Sequence, residues 1–142
     1  MQKMIKKSML MVLSVCLCII LSSCSRLQQI DYYSNQDNYV NATGTVVHIA
    51  YDEDNTALYL GFDDLDPEFD DTCFKIIGDN LPIVQENGID EQIQIGDTVE
   101  FITAPKYFGD GYVMPIVAIY VDEVELLGFD EGFENFIEWL EQ

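Results

Sequence analysis

Val40-Asn41-Ala42-Thr43-Gly44-Thr45-Val46-Val47-His48-Ile49-Ala50-Tyr51-Asp52-Glu53-Asp54-Asn55-Thr56-Ala57-Leu58-Tyr59-Leu60-Gly61-Phe62 is the stretch that decides the fold. Val40 to Tyr51 is dense in Val, Thr, Ile and Tyr, the residues that suit a pleated and half-buried strand. Gly44 and the adjacent Val46-Val47 break strict alternation, so the strand is expected to be bent or bulged. Asp52-Glu53-Asp54-Asn55 is turn chemistry, and Ala57 to Phe62 is apolar enough for a second strand. Together they predict a hairpin.

Downstream, Asp63-Asp64-Leu65-Asp66-Pro67-Glu68-Phe69-Asp70-Asp71 reads as an acidic loop, and Cys73-Phe74-Lys75-Ile76-Ile77 as a third strand. Asn80 is placed to cap a short helix, with Pro82 in its first turn, where a missing N–H costs little, and Gly88 at its end. Ile93 and Ile95 lead into a tight turn at Gly96-Asp97, which launches a fourth strand from Thr98 to Ala104. A fifth runs from Val113 to about Val121 and is expected to continue through Val124 to Leu127. The glycine-bearing loop Lys106-Tyr107-Phe108-Gly109-Asp110-Gly111-Tyr112 joins the two. Gly128 to Gln142 places Phe133, Phe136, Ile137 and Leu140 at offsets of three, four and seven, the stripe of an amphipathic helix. Trp139 lies beside that stripe and would anchor a partner if it projected outward.

The expected order is strand, strand, strand, helix, strand, strand. It resembles the OB-fold, a small five-stranded barrel. Ala42-Thr43-Gly44-Thr45-Val46 early in strand one and Gly96-Asp97-Thr98-Val99 entering strand four look like recurring positions of that fold. With Cys73-Phe74 in the third-strand place, the pattern is similar to the tRNA-anticodon-binding-like OB domains of exported bacterial proteins. The resemblance implies a mainly β, five-stranded OB-like barrel over residues 39–127 with one short helix between strands 3 and 4, and the C-terminal amphipathic helix read from the stripe follows it over 128–142.

Upstream, Lys3, Lys6 and Lys7 precede an apolar run from Met9 to Leu21 that only Ser14 interrupts, the layout of an export signal. The run is shorter than the roughly 20 residues of a spanning helix. It ends in Leu21-Ser22-Ser23-Cys24, which resembles the lipobox of bacterial lipoproteins. That resemblance implies a signal peptide over residues 1–23 and a lipid on the Cys24 thiol. The protein would then sit on the extracytoplasmic face of the cell membrane or outer membrane. Two acyl chains meet the physical requirement of two hydrophobic signals for stable anchoring. Residues 24–38, polar through Gln28, Gln29, Asn35, Gln36 and Asn38, would be the lipidated N-terminus and tether.

Loss of residues 1–23 leaves Arg26, Lys75 and Lys106 against 26 acidic residues, a formal charge of −23. Such a surface repels phosphate backbones, so nucleic acid is not an expected partner, whatever the name of the resembling domains implies. High charge signals disorder only when hydrophobicity is low, and here 49% of residues are hydrophobic. Cys16 and Cys18 leave with the leader and Cys24 carries the lipid, so Cys73 alone remains and the fold must stand without disulfides.

Catalytic chemistry finds little support. His48 is the single histidine, and Ser25 and Ser34 both precede the folded part, so a nucleophile–base pair is not expected. Cys73, within an apolar run, reads as an inert buried thiol. Zinc or iron spacing is missing. Calcium, which takes six to eight oxygens, has candidates in Asp63, Asp64, Asp66, Glu68, Asp70 and Asp71, although these lack the EF-hand pattern. OB barrels bind on strands two and three between the loops joining strands one to two and four to five. Tyr51, Tyr59, Tyr107, Phe108 and Tyr112 could stack on a ligand there, with Asp52, Asp54 and Asp110 selecting positive or hydroxyl-bearing groups. The expectation is a lipid-anchored module, without an enzymatic role, that binds an envelope protein, peptide or glycan. A calcium-responsive acidic envelope protein is one alternative, and a hydrolase using paired carboxylates is the other.

Overall fold

The computed structural model describes residues 26–106 and 114–142. The chain divides into two units after Tyr32. Of the first, the described residues 26–32 are helical; the second, from Tyr33 on, holds the sheet.

The molecule is mainly β. Six strands form one sheet in the order β3-β2-β1-β4-β5-β6, and an added β3–β5 pairing joins five of them into a ring. β1 (Val40–Tyr51) pairs antiparallel with β2 (Ala57–Asp66) on one side and with β4 (Thr98–Thr103) on the other. β3 (Cys73–Ile77) continues antiparallel from β2. β5 (Met114–Val121) is antiparallel to β4, and its first residues run parallel to β3 through Phe74–Met114 and Lys75–Pro115.

One strand can serve two partners because it bends. The β1–β2 register slips between Thr43 and Thr45 and again between Val46 and His48, where the sequence pattern breaks alternation. Gly44 has no room for a side chain: a β-carbon would sit 2.8 Å from Leu65 Cδ2 and 2.9 Å from Phe62 Cβ. The bend therefore depends on a residue that lets β2 close over β1.

Inside the ring, alternate residues build the core. Phe62 stacks on Phe101 with centroids 4.6 Å apart, and Phe74 meets Phe101 edge-on at 4.9 Å. Each such ring, fully buried, contributes roughly 1.5–3 kcal/mol relative to exposure. Leu81 and Val84 from α2 (Asn80–Glu86), Ile89 from α3 (Ile89–Gln92) and Ile93 join the same core.

Five expectations need correction. The segment from β3 to β4 holds two short helices, because Gly88 takes φ +85° and restarts the chain as α3. Asn80 does not cap α2. Its side chain is buried and donates instead to the Gly132 carbonyl at 2.8 Å. β2 runs on to Asp66, through residues expected in a loop. The fifth strand does not continue to Leu127: Asp122 and Glu123 take φ +49° and +66°, the chain reverses, and Val124–Leu127 (β6) pairs antiparallel with β5. The expected tether is helical over residues 26–34 (α1) and turns once more at Gln36–Asn38. Tyr33 is the reason the last part of it is fixed. Fully buried, it donates its hydroxyl to the Lys106 carbonyl at 3.1 Å.

α4 (Phe129–Glu141) lies against the outside of β5, burying Phe136 and Leu140. Asp130 and Glu131 in its first turn suit the helix dipole. Tyr33 meets Phe136 edge-on at 5.2 Å, and Tyr39 meets Phe133 at 5.4 Å. Trp139 stacks on Phe136 with centroids 6.1 Å apart and carries the Lys75 ammonium 5.4 Å from its ring, so it is packed onto the sheet. Among the described residues no helix is long and apolar enough to cross a membrane.

Candidate functional site

Of the residues selected from sequence for ligand binding on the barrel, Tyr51, Asp52, Asp54 and Tyr59 are described. Tyr51, at the end of β1, donates its hydroxyl to Asp90 Oδ1 of α3 at 2.6 Å. Burial, followed by that bond, pushes its phenol above the usual range. Asp52 is engaged within the turn. It accepts from the Thr56 hydroxyl at 2.5 Å, the Thr56 amide at 2.6 Å and the Ala57 amide at 3.1 Å. The Thr56 hydroxyl above all holds its carboxyl below the usual carboxylate value. Asp54 is exposed in the same turn, and Tyr59 is half-buried on β2 opposite Lys75. Tyr107, Phe108, Asp110 and Tyr112 lie outside the described residues, as do Cys24 and the rest of the leader.

The β1–β2 turn follows Tyr51, whereas β4 ends at Thr103 opposite Val40, the first residue of β1, so the turn and the end of β4 lie at opposite ends of that strand.

The acidic stretch is likewise divided. Asp63, Asp64 and Asp66 lie on β2, while Glu68 and Asp70 are exposed in the connection that follows. Asp71 turns its carboxylate onto the amides of Thr72 at 2.7 Å and Cys73 at 3.2 Å. Among the described residues, no three His, Cys, Asp or Glu side chains are grouped to hold a metal ion.

His48 and Cys73 stand in one cross-strand row, both paired with Gly61 of β2. The missing side chain at Gly61 leaves the two separated by a strand. A β-carbon there would come within 2.9 Å of His48 Cβ. Burial, then the nearby Asp71 charge, pushes the Cys73 thiol up, which keeps it protonated and poorly nucleophilic.

A groove of about 300 Å³ opens elsewhere, on the outer side of β1, β4 and β5, lined by Asn41, Ala42, Thr43, Glu100, Phe101, Ile102 and Tyr120. Thr43 pairs with Glu100, Glu100 with Tyr120, and Tyr120 with Glu125 of β6, so the four form one transverse row across four strands. Asn41 pairs with Ile102 in the neighbouring row. Glu100 and Glu125 are exposed and Tyr120 is half-buried between them. Burial, with a smaller push from Glu125, raises the Tyr120 phenol, so it remains a neutral donor at pH 7. The lining offers the Tyr120 ring above the buried Phe101, one isoleucine, the Thr43 and Tyr120 hydroxyls, the Asn41 amide and the Glu100 carboxylate, and no basic side chain. Such a lining carries the groups that orient a ligand by stacking and hydrogen bonding.

Sequence reading passed over Thr43, Glu100, Ile102 and Tyr120. Their signal was present only as the outward alternates of three strands, and nothing local says which strands lie side by side. No family model matches the chain, and no curated protein or solved structure matches it.

Proposed function

We propose that this chain is an exported, lipid-anchored binding module whose five-stranded ring is an OB-like barrel. The ring order β1-β2-β3-β5-β4, with its parallel β3–β5 closure and helices between β3 and β4, supports the barrel reading. The lipid on Cys24, expected to carry palmitate, holds the module to the extracytoplasmic face of the cell membrane or outer membrane. The ligand is an envelope protein, peptide or glycan.

The observation that carries the binding role is the groove on β1, β4 and β5: a concave, mixed polar and aromatic surface in a domain whose thiol and imidazole are held apart. It lies on strands other than the second and third, on which the OB resemblance had placed a site.

The anchor is tested by expressing the full chain in a bacterium fed labelled palmitate, beside Cys24→Ala. The wild type is expected to take up label, to fractionate with membranes and to have an intact mass beginning at a lipidated Cys24. The variant is expected to show none of the three. Label retained by Cys24→Ala, or a mature mass beginning elsewhere, removes the anchor.

A further inference from the structure

We infer that the groove across β1, β4 and β5 binds arginine side chains presented by an extended polypeptide, with Tyr120 as the stacking surface, Glu100 as the acceptor and Glu125 as a charge close by. The inference rests on the binding-module reading and supplies its ligand class.

The geometry follows from the transverse row. Strands lie about 4.8 Å apart, so the backbones bearing Glu100 and Glu125 are about 10 Å apart with Tyr120 between them. Glu100 lines the groove, while Glu125 lies outside that lining with its carboxylate beside Gly128 and its charge near the Tyr120 phenol, so a cation over the ring has Glu100 next to it in the groove and the Glu125 charge close by. A planar guanidinium suits this place better than an ammonium. It stacks flat on an aromatic face and forks its N–H groups onto a carboxylate, and it gives up hydration more readily. Thr43, in the same row, and Asn41, in the next, add a hydroxyl and an amide at the groove wall, which can meet the backbone of the segment that carries the arginine. Ile102 supplies the apolar contact for its methylene stem.

Other occupants fit less well. A phosphate or other anion would meet Glu100 with no basic group in the lining. Calcium needs six to eight oxygens at 2.3–2.6 Å, and a phenol ring stands between these two carboxylates. A volume of about 300 Å³ is at the small end of ligand pockets and takes one long side chain rather than a folded oligosaccharide. The charge of −20 on the full chain favours approach of a basic polypeptide from any direction, and the row selects where it docks.

The test is an NMR titration of the full chain in detergent with acetyl-Gly-Arg-Gly-amide, its lysine counterpart and its citrulline counterpart, which keeps the shape and loses the charge. The arginine peptide is expected to shift resonances at Thr43, Glu100, Ile102 and Tyr120, and the citrulline peptide to bind at least tenfold more weakly. Glu100→Gln and Tyr120→Leu are each expected to weaken the arginine peptide at least fivefold, with Tyr120→Phe retaining most of the binding. Glu68→Gln and Glu134→Gln, exposed acids away from the groove, are expected to change it less than twofold. Should Tyr120→Leu fail to fold, the exposed Glu100→Gln decides. Equal losses from all the glutamate variants would reduce the binding to general electrostatics and overturn the proposal, as would citrulline binding as well as arginine. If spermine or a chitin oligosaccharide shifts the groove while the arginine peptide does not, the ligand class falls and the module survives. If none of these probes shifts the groove, both fall.

Discussion

The outer surface of the ring has two regions built on the same strand and treated in opposite ways. Under α4, β5 presents Pro115 and Val117, both buried, and the helix comes so close that Gly132 touches the Val117 backbone. A few residues further on, Tyr120 lines the groove together with Glu100 and pairs on its other side with Glu125. One half is closed by Phe136, Leu140 and Tyr33; the other is left to solvent. The difference supports the proposed placement of a ligand. Apolar outward residues are covered by a helix of this chain, and the polar outward residues of the adjoining strands carry no such cover among the described residues.

Gly132→Ala is the sharpest way to break that contrast. Helix propensity alone favours alanine by about 1 kcal/mol. Packing predicts the opposite sign, because a β-carbon at residue 132 would overlap the Val117 carbonyl oxygen, which belongs to backbone in the centre of a sheet. Overpacking of that kind costs about 1–3 kcal/mol or more, beyond any propensity gain. A urea midpoint below that of the wild type is therefore expected. A midpoint above it would mean that α4 rests on β5 loosely and that the closed half is not closed.

Asn80→Ala probes the same closure from the other end. The Asn80 amide donates to the Gly132 carbonyl at 2.8 Å and its oxygen accepts from Asn135 Nδ2 at 3.1 Å, so α2, which plugs the ring, is joined to α4, which covers it. Removing the side chain strips both bonds from a site only 1% exposed and is expected to cost about 1–3 kcal/mol. Amide exchange should quicken in α4 more than in β1. If exchange quickens equally throughout, the bond stabilises the molecule as a whole and does not fasten the cover.

Much of this arrangement is legible in the residues, and the part that is not has a common cause. Gly44 and Val46-Val47 announce the bend in β1 because a broken alternation is local. The stripe of Phe133, Phe136 and Leu140 announces α4 for the same reason. Asn80 illustrates the failure: between a strand and a proline it looks like a cap, yet its partner is Gly132, more than fifty residues away. Asp63, Asp64 and Asp66 look like a loop because acids disfavour strands, and pairing with β1 through Thr43–Asp66 and Thr45–Asp63 overrides that preference. The groove is the extreme case. Thr43, Glu100, Tyr120 and Glu125 come from four strands, and the row exists only through registers that no local pattern encodes.

Two acids then separate fold from function at the small end of the scale. Asp52 spends its carboxylate on Thr56 and Ala57, which holds its folded pKa below the value in the unfolded chain. A depressed carboxyl adds stability that is present above the unfolded value, about 3.9, and is lost as pH falls through the folded one. Asp52→Asn is accordingly expected to melt lower than the wild type at pH 7, with the gap narrowing below about pH 4. A gap that stays constant down to pH 2.5 would mean that the turn depends on the shape of the side chain and not on its charge. Glu100 should behave differently. It is exposed and faces the groove, so Glu100→Gln is expected to change stability at pH 7 by no more than about 0.5 kcal/mol. A larger loss in Glu100→Gln would make that carboxylate part of the scaffold. Stability unchanged, with weakened arginine binding, would mark it as a residue kept on the open half for its ligand.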